Sequence, residues 1–331
     1  MKARVVSGMR PTGQLHLGHL AGALKNWVPL QDQYECFYFV ADWHALTSEY
    51  ADTSRIVSST YEMVADWIAA GLDPEKSTFF VQSLVPEHAE LFLLLSMVVP
   101  VPWLERVPTY KEQQESLKDR DLSTYGFLGY PLLQTADVTM YDARFVPVGA
   151  DQVAHLELSR EAVRRFNNVF GDVLVEPQPL LTAVSRLPGL DGDKKMSKSL
   201  GNTIHLSDDP DTVKKRVMQM YTDPKRVRAD IPGTVEGNPV FVYHETFNPD
   251  LAEVEDLKSR YRAGTVGDVE VKTKLAKALN AHLDPIRARR AGILAKPGMV
   301  QEILHEGSKK ARVVADETME RVRTAVKLRY A

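Results

Sequence analysis

Pro11-Thr12-Gly13-Gln14-Leu15-His16-Leu17-Gly18-His19 is the stretch from which the fold of this chain is read. Ahead of it Ala3–Ser7 reads as a buried strand, and behind it Gly18–Gln33 reads as a helix. The stretch is therefore a strand-to-helix turn of small residues, with two histidines where the helix starts. The first N–H groups of a helix lack internal partners and its dipole favours negative charge, so a phosphate chain is a natural ligand there. Gly18 leaves room for an adenine or ribose against the backbone. His16 and His19 can donate to phosphate oxygens while charge builds on a departing pyrophosphate. Alone, an H-x-G-H turn also fits a solvated loop with two incidental histidines.

A second stretch, Asp193-Lys194-Lys195-Met196-Ser197-Lys198-Ser199-Leu200-Gly201, sets a methionine among lysines on a loop ending in glycine. Two long cations on a flexible loop can close on a triphosphate late in the reaction, where their help is felt in the transition state. Lysine- and serine-rich loops are also common on bare surfaces. The two stretches together, one after the first strand and one after the strand–helix region, point to attack on ATP.

Outward from the first turn, strand and helix alternate. Cys36–Ala41 is an aromatic-rich strand. A helix follows from a capping Thr53 or Ser54 to Gly71, with Val57, Tyr61, Val64 and Ile68 on one face. Thr78–Gln82 is a third strand and Glu87 to about Val99 a helix. Repeated strand–helix units predict an α/β fold with a parallel sheet covered on both faces, binding ligands at the carboxyl ends of its strands. Lys111–Gly126 reads as a charged, mobile loop, Pro131–Tyr141 as a helix, Phe145–Val148 as a strand and Asp151–Asn167 as a helix. Beyond Asn202 the pattern turns helical. Asp209 caps a helix with Pro210 at its first position and Val213, Val217 and Met220 on one face. Val271, Leu275, Leu279, Leu283 and Ile286 repeat at helical spacing. A last helix from Ser308 carries Val313, Val314, Val322 and Val326.

The 331 residues suit two domains, and 44% hydrophobic with 26% charged residues is ordinary for a globular protein. A formal charge of −3 excludes a generally basic nucleic-acid binder, so any RNA must be held by local patches. Three such clusters stand in the second half: Lys225, Arg226 and Arg228; Arg287, Arg289 and Arg290; Lys309, Lys310 and Arg312. Each fits a solvated helix face as well as an RNA contact. Cys36 is the only cysteine, which excludes an internal disulfide or a multi-cysteine metal site and fits a reducing compartment. The most apolar stretch, Leu91–Leu104, is broken by Pro100 and Pro102 and falls short of the ~20 residues of a membrane helix. It reads as a buried helix or subunit contact, and the chain as cytoplasmic, with no membrane or DNA partner.

Taken together, the two stretches resemble the HIGH and KMSKS signatures of class I aminoacyl-tRNA synthetases. Tyr130-Pro131-Leu132-Leu133-Gln134-Thr135-Ala136-Asp137, Val146-Pro147-Val148-Gly149-Ala150-Asp151-Gln152, His155, Glu157, Ala41-Asp42-Trp43-His44-Ala45 and Leu104-Glu105-Arg106 with Lys111 resemble the bacterial tryptophanyl-tRNA synthetases. The resemblance spans essentially the whole chain, is densest over Val5–Leu206, and implies a Rossmann-like parallel sheet domain followed by a mainly α-helical one. It implies boundaries at 1–194 for the catalytic domain, 195–201 for the lysine loop, 202–300 for an anticodon-binding domain and 301–331 for a helix packing back.

By the same resemblance, Asp137 accepts the indole N–H. Val6, Val146 and Val148 wall the ring, Tyr130 and Gln152 hold the ammonium group, and His44 and Gln134 complete the tryptophan site. Arg10, Pro11, Thr12, Gly18, His19, Gly149, Ala150, Asp151, Leu187, Lys195, Met196, Ser197, Lys198 and Ser199 match ATP-contacting positions. His16, His19, Lys111, Lys195 and Lys198 match the groups that act on the phosphates, with Mg²⁺ carried by ATP and no resident metal. The implied partners are L-tryptophan, tRNA(Trp) and a second copy in a homodimer. Gln134, Arg10 and Trp43 depart from the common methionine, glutamine and glutamine, and a polar Gln134 leaves room for a substituted indole. Three rivals stand beside this reading: a tyrosyl-tRNA synthetase, a catalytically retired paralogue acting as a regulator, and a non-synthetase nucleotidylyltransferase.

Overall fold

The computed structural model describes residues 2–107, 110, 121–149, 153–181, 187–192, 196 and 200–330, without the side chains of Ala154 and His155. In chain order its elements are β1 (Arg4–Met9), α1 (Leu17–His19), a π-helical turn over Leu20–Leu24, and α2 (Lys25–Gln33). Next come β2 (Glu35–Val40), α3 (Asp42–Glu49), α4 (Ile56–Ala70), β3 (Ser77–Val81), a 3₁₀ turn over Gln82–Leu84, and α5 (Glu87–Ser96). They are followed by α6 (Val101–Glu105), α7 (Tyr125–Thr139), β4 (Phe145–Val148), α8 (Val153–Phe170) and β5 (Gln178–Leu181). The rest is helical: α9 (Pro210–Met218), α10 (Pro239–Phe247), α11 (Leu251–Ala263), α12 (Asp268–Leu294) and α13 (Met299–Ala325).

The five strands pair in parallel in the order β3-β2-β1-β4-β5. Strand side chains alternate between faces, so Val5, Cys36, Tyr38 and Phe79 enter one core and Val6, Phe37, Phe39 and Phe80 the other. The first core takes in Trp67 and Met63 of α4 and runs on through Leu275, Leu279, Leu283 and Ile286 of α12. The second is closed by α5, α7, α8 and the end of α13. Between β1 and β4 the strand order reverses, and in such sheets the crevice at that switch point is where ligands bind. The turn after β1 and the segment after β4 both open onto it.

β3 is an edge strand, and an edge left bare invites pairing with other chains. Here α13 covers it. The Val81 N–H donates to Ser308 Oγ at 3.2 Å, and Gly307 lies so close that a Cβ there would stand 1.8 Å from the Phe79 carbonyl oxygen.

Several expectations need correction. Helix α4 starts at Ile56 with Arg55 as its cap, because Asp52 Oδ1 takes the Ser54 N–H at 3.0 Å in a turn that delays the helix. Its buried face is Thr60, Met63, Val64 and Trp67, whereas Val57 is 62% exposed. Helix α7 begins at Tyr125, capped by Thr124, so Pro131 lies inside it rather than at its start. The edge strand β5 was missed, since Pro179 reads as a breaker, yet a proline is tolerated where no ladder bond is needed. The last helix starts at Met299 rather than Ser308, and Val313 is 61% exposed. Small residues, Gly307, Ala311 and Ala315, make its inner face because the helix lies close on the sheet. Leu91–Leu104 is two helices, broken around Pro100, with Leu93, Met97 and Val101 exposed. Of the loop expected over Lys111–Gly126, residues 111–120 lie outside the described residues, while Tyr125 and Gly126 already belong to α7. Among the described residues, no helix is long and apolar enough to cross a membrane.

Candidate active site

The turn after β1 is built for compactness. Gly13 has a φ of 96°, in the left-handed region that glycine enters without strain, and Pro11 is buried. Arg10 is exposed, with Nη1 3.4 Å from Ser48 Oγ, and its carbonyl accepts from the Thr12 N–H at 2.9 Å. At the helix start the structure overturns the expectation of bare amides. The Leu17 N–H donates to the Ile204 carbonyl at 3.0 Å and the Gly18 N–H to His16 Nδ1 at 3.1 Å. The His16 N–H in turn donates to His19 Nδ1 at 3.2 Å. Each ring accepts through Nδ1, so each carries its proton on Nε2, a donor. The two rings lie 3.9 Å apart. Side chains, rather than main-chain amides, are what this turn offers a phosphate.

The second stretch returns to the first. Leu190 N–H donates to Asn202 C=O at 3.1 Å and closes the base of the lysine loop, while Asn202 Nδ2 holds the Asp191 carboxylate at 3.0 and 3.1 Å. The chain leaving the loop then runs alongside the first turn: Leu206 N–H donates to Leu15 C=O at 2.9 Å, and His16 pairs with His205 in an antiparallel bridge. Met196, only 4% exposed, sets its sulfur 3.3 Å from the Gly18 nitrogen. A Cβ on Gly18 would stand 2.9 Å from the His16 ring and 3.4 Å from that sulfur. Leu187, expected beside an adenine, has its side chain buried in the same core. Lys111, Ala150, Asp151, Gln152, Lys195, Ser197, Lys198 and Ser199 lie outside the described residues, whereas Gly149 is half-buried after β4.

On the other sheet face, Val6 and Val146 are buried in one apolar cluster against which Val148 packs. Asp137, on α7 and fully buried, is not an exposed helix residue. His44 Nε2 approaches its Oδ2 at 2.7 Å, and Gln82 Nε2 and His88 Nδ1 approach its Oδ1 at 2.7 and 2.6 Å. Burial alone raises the pKa of Asp137, but the hydrogen bonds from His44 and His88 outweigh it and bring the carboxyl down to about 2. Tyr130 is buried beside Phe127, and Gln134, one helical turn before Asp137, is half-buried.

Asp42 lies at the end of β2, next to the bonds of His44. It accepts from the Ser83 N–H at 3.1 Å, from the Ser83 hydroxyl, and from the Trp43 N–H at 3.0 Å, tying the ends of β2 and β3 together. Burial pushes its carboxyl pKa up against those bonds. Sequence reasoning missed Gln82, Ser83 and His88. The signal available was a histidine inside the apolar run Val85–Leu95 and a glutamine closing a strand of apolar residues.

Several of the basic residues read from the sequence are tied to the chain itself. The Arg226 side chain is fully buried, bound to Asp268 at 2.8 Å and lying 4.0 Å over the Tyr261 ring. Arg287 donates to the Asp208 carbonyl at 2.8 Å, Arg289 to the Ala69 carbonyl at 2.6 Å, and Arg312 to Glu87 at 3.0 Å. Arg290 pairs with Asp66 at 2.7 Å and with Glu62, and Asp66 in turn accepts the Leu15 N–H at 3.0 Å. Burial raises the Asp66 pKa, and Arg290 opposes it.

A family model described as tRNA synthetases class I (W and Y) matches residues 1–284. The chain is 50% identical over 328 residues to a tryptophan–tRNA ligase of Thermotoga maritima, covering 99% of this chain and 100% of that one. It is 48% identical over 327 residues to one of Treponema pallidum, covering 98% and 97%. Among solved structures it is similar to a tryptophanyl-tRNA synthetase of Campylobacter jejuni complexed with ADP and tryptophan, with a TM-score of 0.86, 33% identity, and coverage of 98% and 99%.

Proposed function

This chain belongs to the class I tRNA synthetases of the W and Y family, and from that premise we propose that it is a tryptophan–tRNA ligase. It activates L-tryptophan with ATP and transfers the amino acid to tRNA(Trp). The observation that carries the choice of amino acid is the 48–50% identity to tryptophan–tRNA ligases over nearly the whole chain, and the buried Asp137 beside the apolar walls of Val6, Val146 and Val148 fits it as the acceptor for the indole N–H. A site with a buried acceptor rejects an analogue without the matching N–H, because its own polar group is then left unpaired.

In the first step the substrate carboxylate attacks the α-phosphorus of ATP, forming tryptophanyl-adenylate and releasing pyrophosphate. No covalent enzyme intermediate is needed. Catalysis is positioning and charge stabilisation. Arg10, Pro11, Thr12, Gly18, Gly149, Ala150, Asp151 and Leu187 seat the nucleotide. His16, His19, Lys111, Lys195 and Lys198 meet the phosphates, whose Mg²⁺ arrives with the substrate. Tyr130 and Gln152 take the ammonium group. Residues 1–194 form the catalytic domain, 195–201 the lysine loop, 202–300 the anticodon-reading module and 301–331 the returning helix. Lys225, Arg228, Arg289, Lys309, Lys310 and Arg312 are the exposed members of the basic clusters available to tRNA. The exposed Leu93, Met97 and Val101 give a homodimer its contact, and the enzyme works in the cytoplasm.

ATP–pyrophosphate exchange measured across the twenty amino acids tests this reading. Exchange driven by tryptophan, with tyrosine at least ~10³-fold poorer in kcat/KM, is expected from a pocket whose apolar walls fit the larger indole ring and whose acceptor meets its N–H. Equal exchange with tyrosine, or none with any amino acid, overturns it.

A further inference from the structure

We propose that His88, oriented by Tyr141, is a positioning residue that fixes Asp137 for the indole N–H and thereby sets the preference for tryptophan. The proposal rests on the reading of Asp137 given above. A carboxylate offers about four acceptor positions. Gln82 and His88 take both positions on Oδ1, and His44 takes one on Oδ2. One acceptor position therefore remains, on a known oxygen, and an indole has one N–H to give.

His88 makes that arrangement rigid. Its Nδ1 lies 2.6 Å from Asp137 Oδ1 and its Nε2 2.6 Å from the Tyr141 hydroxyl. An ionised carboxylate only accepts, so Nδ1 carries the proton and Nε2 accepts from Tyr141. The resulting chain runs from Tyr141 Oη through the imidazole to Asp137, and hydrogen bonds in such a chain polarise one another. Burial, with the charges of Asp137 and Glu87, pushes the Tyr141 pKa upward and keeps its hydroxyl a donor. All three side chains are fully buried. The rings of Phe39, Phe80 and Tyr141 lie 5.5–6.1 Å from the imidazole centroid, so neither a turn of the ring nor a water replaces the bond.

Gln82 shows how strongly the carboxylate is served. Its amide nitrogen points at Asp137, and its Oε1, fully buried, has no partner among the described residues. A flipped amide would set oxygen against oxygen.

The test compares His88→Leu, His88→Asn, Tyr141→Phe and Asp137→Asn in ATP–pyrophosphate exchange. The substrates are tryptophan and benzothienylalanine, whose ring sulfur stands where the indole has its N–H. Losing a hydrogen bond to a charged group costs about 10- to 150-fold. His88→Leu is expected to raise KM for tryptophan by at least ~10-fold and to cut the discrimination between the two substrates by a similar factor. KM for ATP should stay within about twofold, since neither His88 nor Tyr141 is among the groups proposed to meet the nucleotide. His88→Asn, whose amide can donate in place of Nδ1, should restore most of the discrimination. Tyr141→Phe deletes only the far hydroxyl and should cost about threefold in discrimination. A folded His88→Leu enzyme with unchanged discrimination overturns the proposal. If that variant does not fold, an unchanged ratio in Tyr141→Phe overturns it instead. When Asp137→Asn lowers discrimination and the His88 and Tyr141 variants do not, the proposal alone falls. When Asp137→Asn has no effect either, the reading of Asp137 falls with it.

Discussion

The turn after β1 and the pocket around Asp137 sit on opposite sides of the same switch point, yet they are held by different kinds of bond. At the turn, the ties are largely main-chain: Leu17 N–H to Ile204, Leu206 N–H to Leu15, and the peptide of Leu15 pinned by Asp66. Their partners come from residues nearly two hundred positions away and, through Arg290, from the helical half. At Asp137 the ties are side-chain to side-chain, buried apart from the half-buried His44, and drawn from the strand–helix half alone. Relative placement of the two halves of the chain therefore decides the phosphate turn, and single side-chain identities decide the amino-acid pocket.

That contrast is easiest to break at Arg290. Arg290→Met leaves the carboxylate of Asp66 buried without its cation, at about 3–5 kcal/mol in stability. Denaturant unfolding should show the loss, and KM for ATP should rise in the surviving enzyme while KM for tryptophan holds. A stability change under about 1 kcal/mol removes the strut from the account. Next in size, Lys198→Ala should slow activation by ~10²–10³-fold, the cost of one transition-state donor. Pre-steady-state adenylate formation slowed by less than about threefold refutes that role.

The pocket side is tested by Asp137→Asn, which should lower kcat/KM for tryptophan by about 10- to 150-fold and leave KM for ATP alone. The same variant carries a pH signature. In the folded chain the Asp137 pKa is depressed from 3.8 to about 2. Its stabilisation is thus full above pH ~4 and is lost as the pH falls from ~4 to ~2. Thermal melts of wild type should drop more steeply through that window than those of Asp137→Asn, and parallel curves contradict the assignment. The smallest effect belongs to Gly18→Ala. Its Cβ crowds the His16 ring, which can swing aside, so a cost near the low end of ~1–3 kcal/mol is expected. Kinetics should show a KM for ATP about fivefold higher and an unchanged KM for tryptophan.

What could be read in the sequence divides along the same line. The parallel sheet was legible because buried strands such as Glu35–Val40 are continuous apolar runs, and the long α12 because its apolar residues recur at helical spacing. Faces that pack closely on the sheet were not. In α13 the contact is made by Gly307, Ala311 and Ala315, which carry no hydrophobic signal, and the conspicuous Val313 points to solvent. Pro131 misled because its ring usually marks a first turn, while tertiary packing carries α7 through it. In the candidate site, Asp137 was reached through the family resemblance, but Gln82 and His88 meet it from 55 and 49 positions away. No local pattern records such a meeting. Which members of the basic clusters are tied inward was hidden for a related reason, since an arginine bound to distant carbonyls, such as Arg226 or Arg289, has the same spelling as one that faces outward.

The most direct trial is a crystal structure with a non-hydrolysable ATP analogue. The imidazoles of His16 and His19 and the ammonium groups of Lys195 and Lys198 should lie around the phosphates of one nucleotide, with Gly18 and Met196 still adjoining. A nucleotide reached by only one of the two stretches, the other facing a separate cavity, contradicts the account.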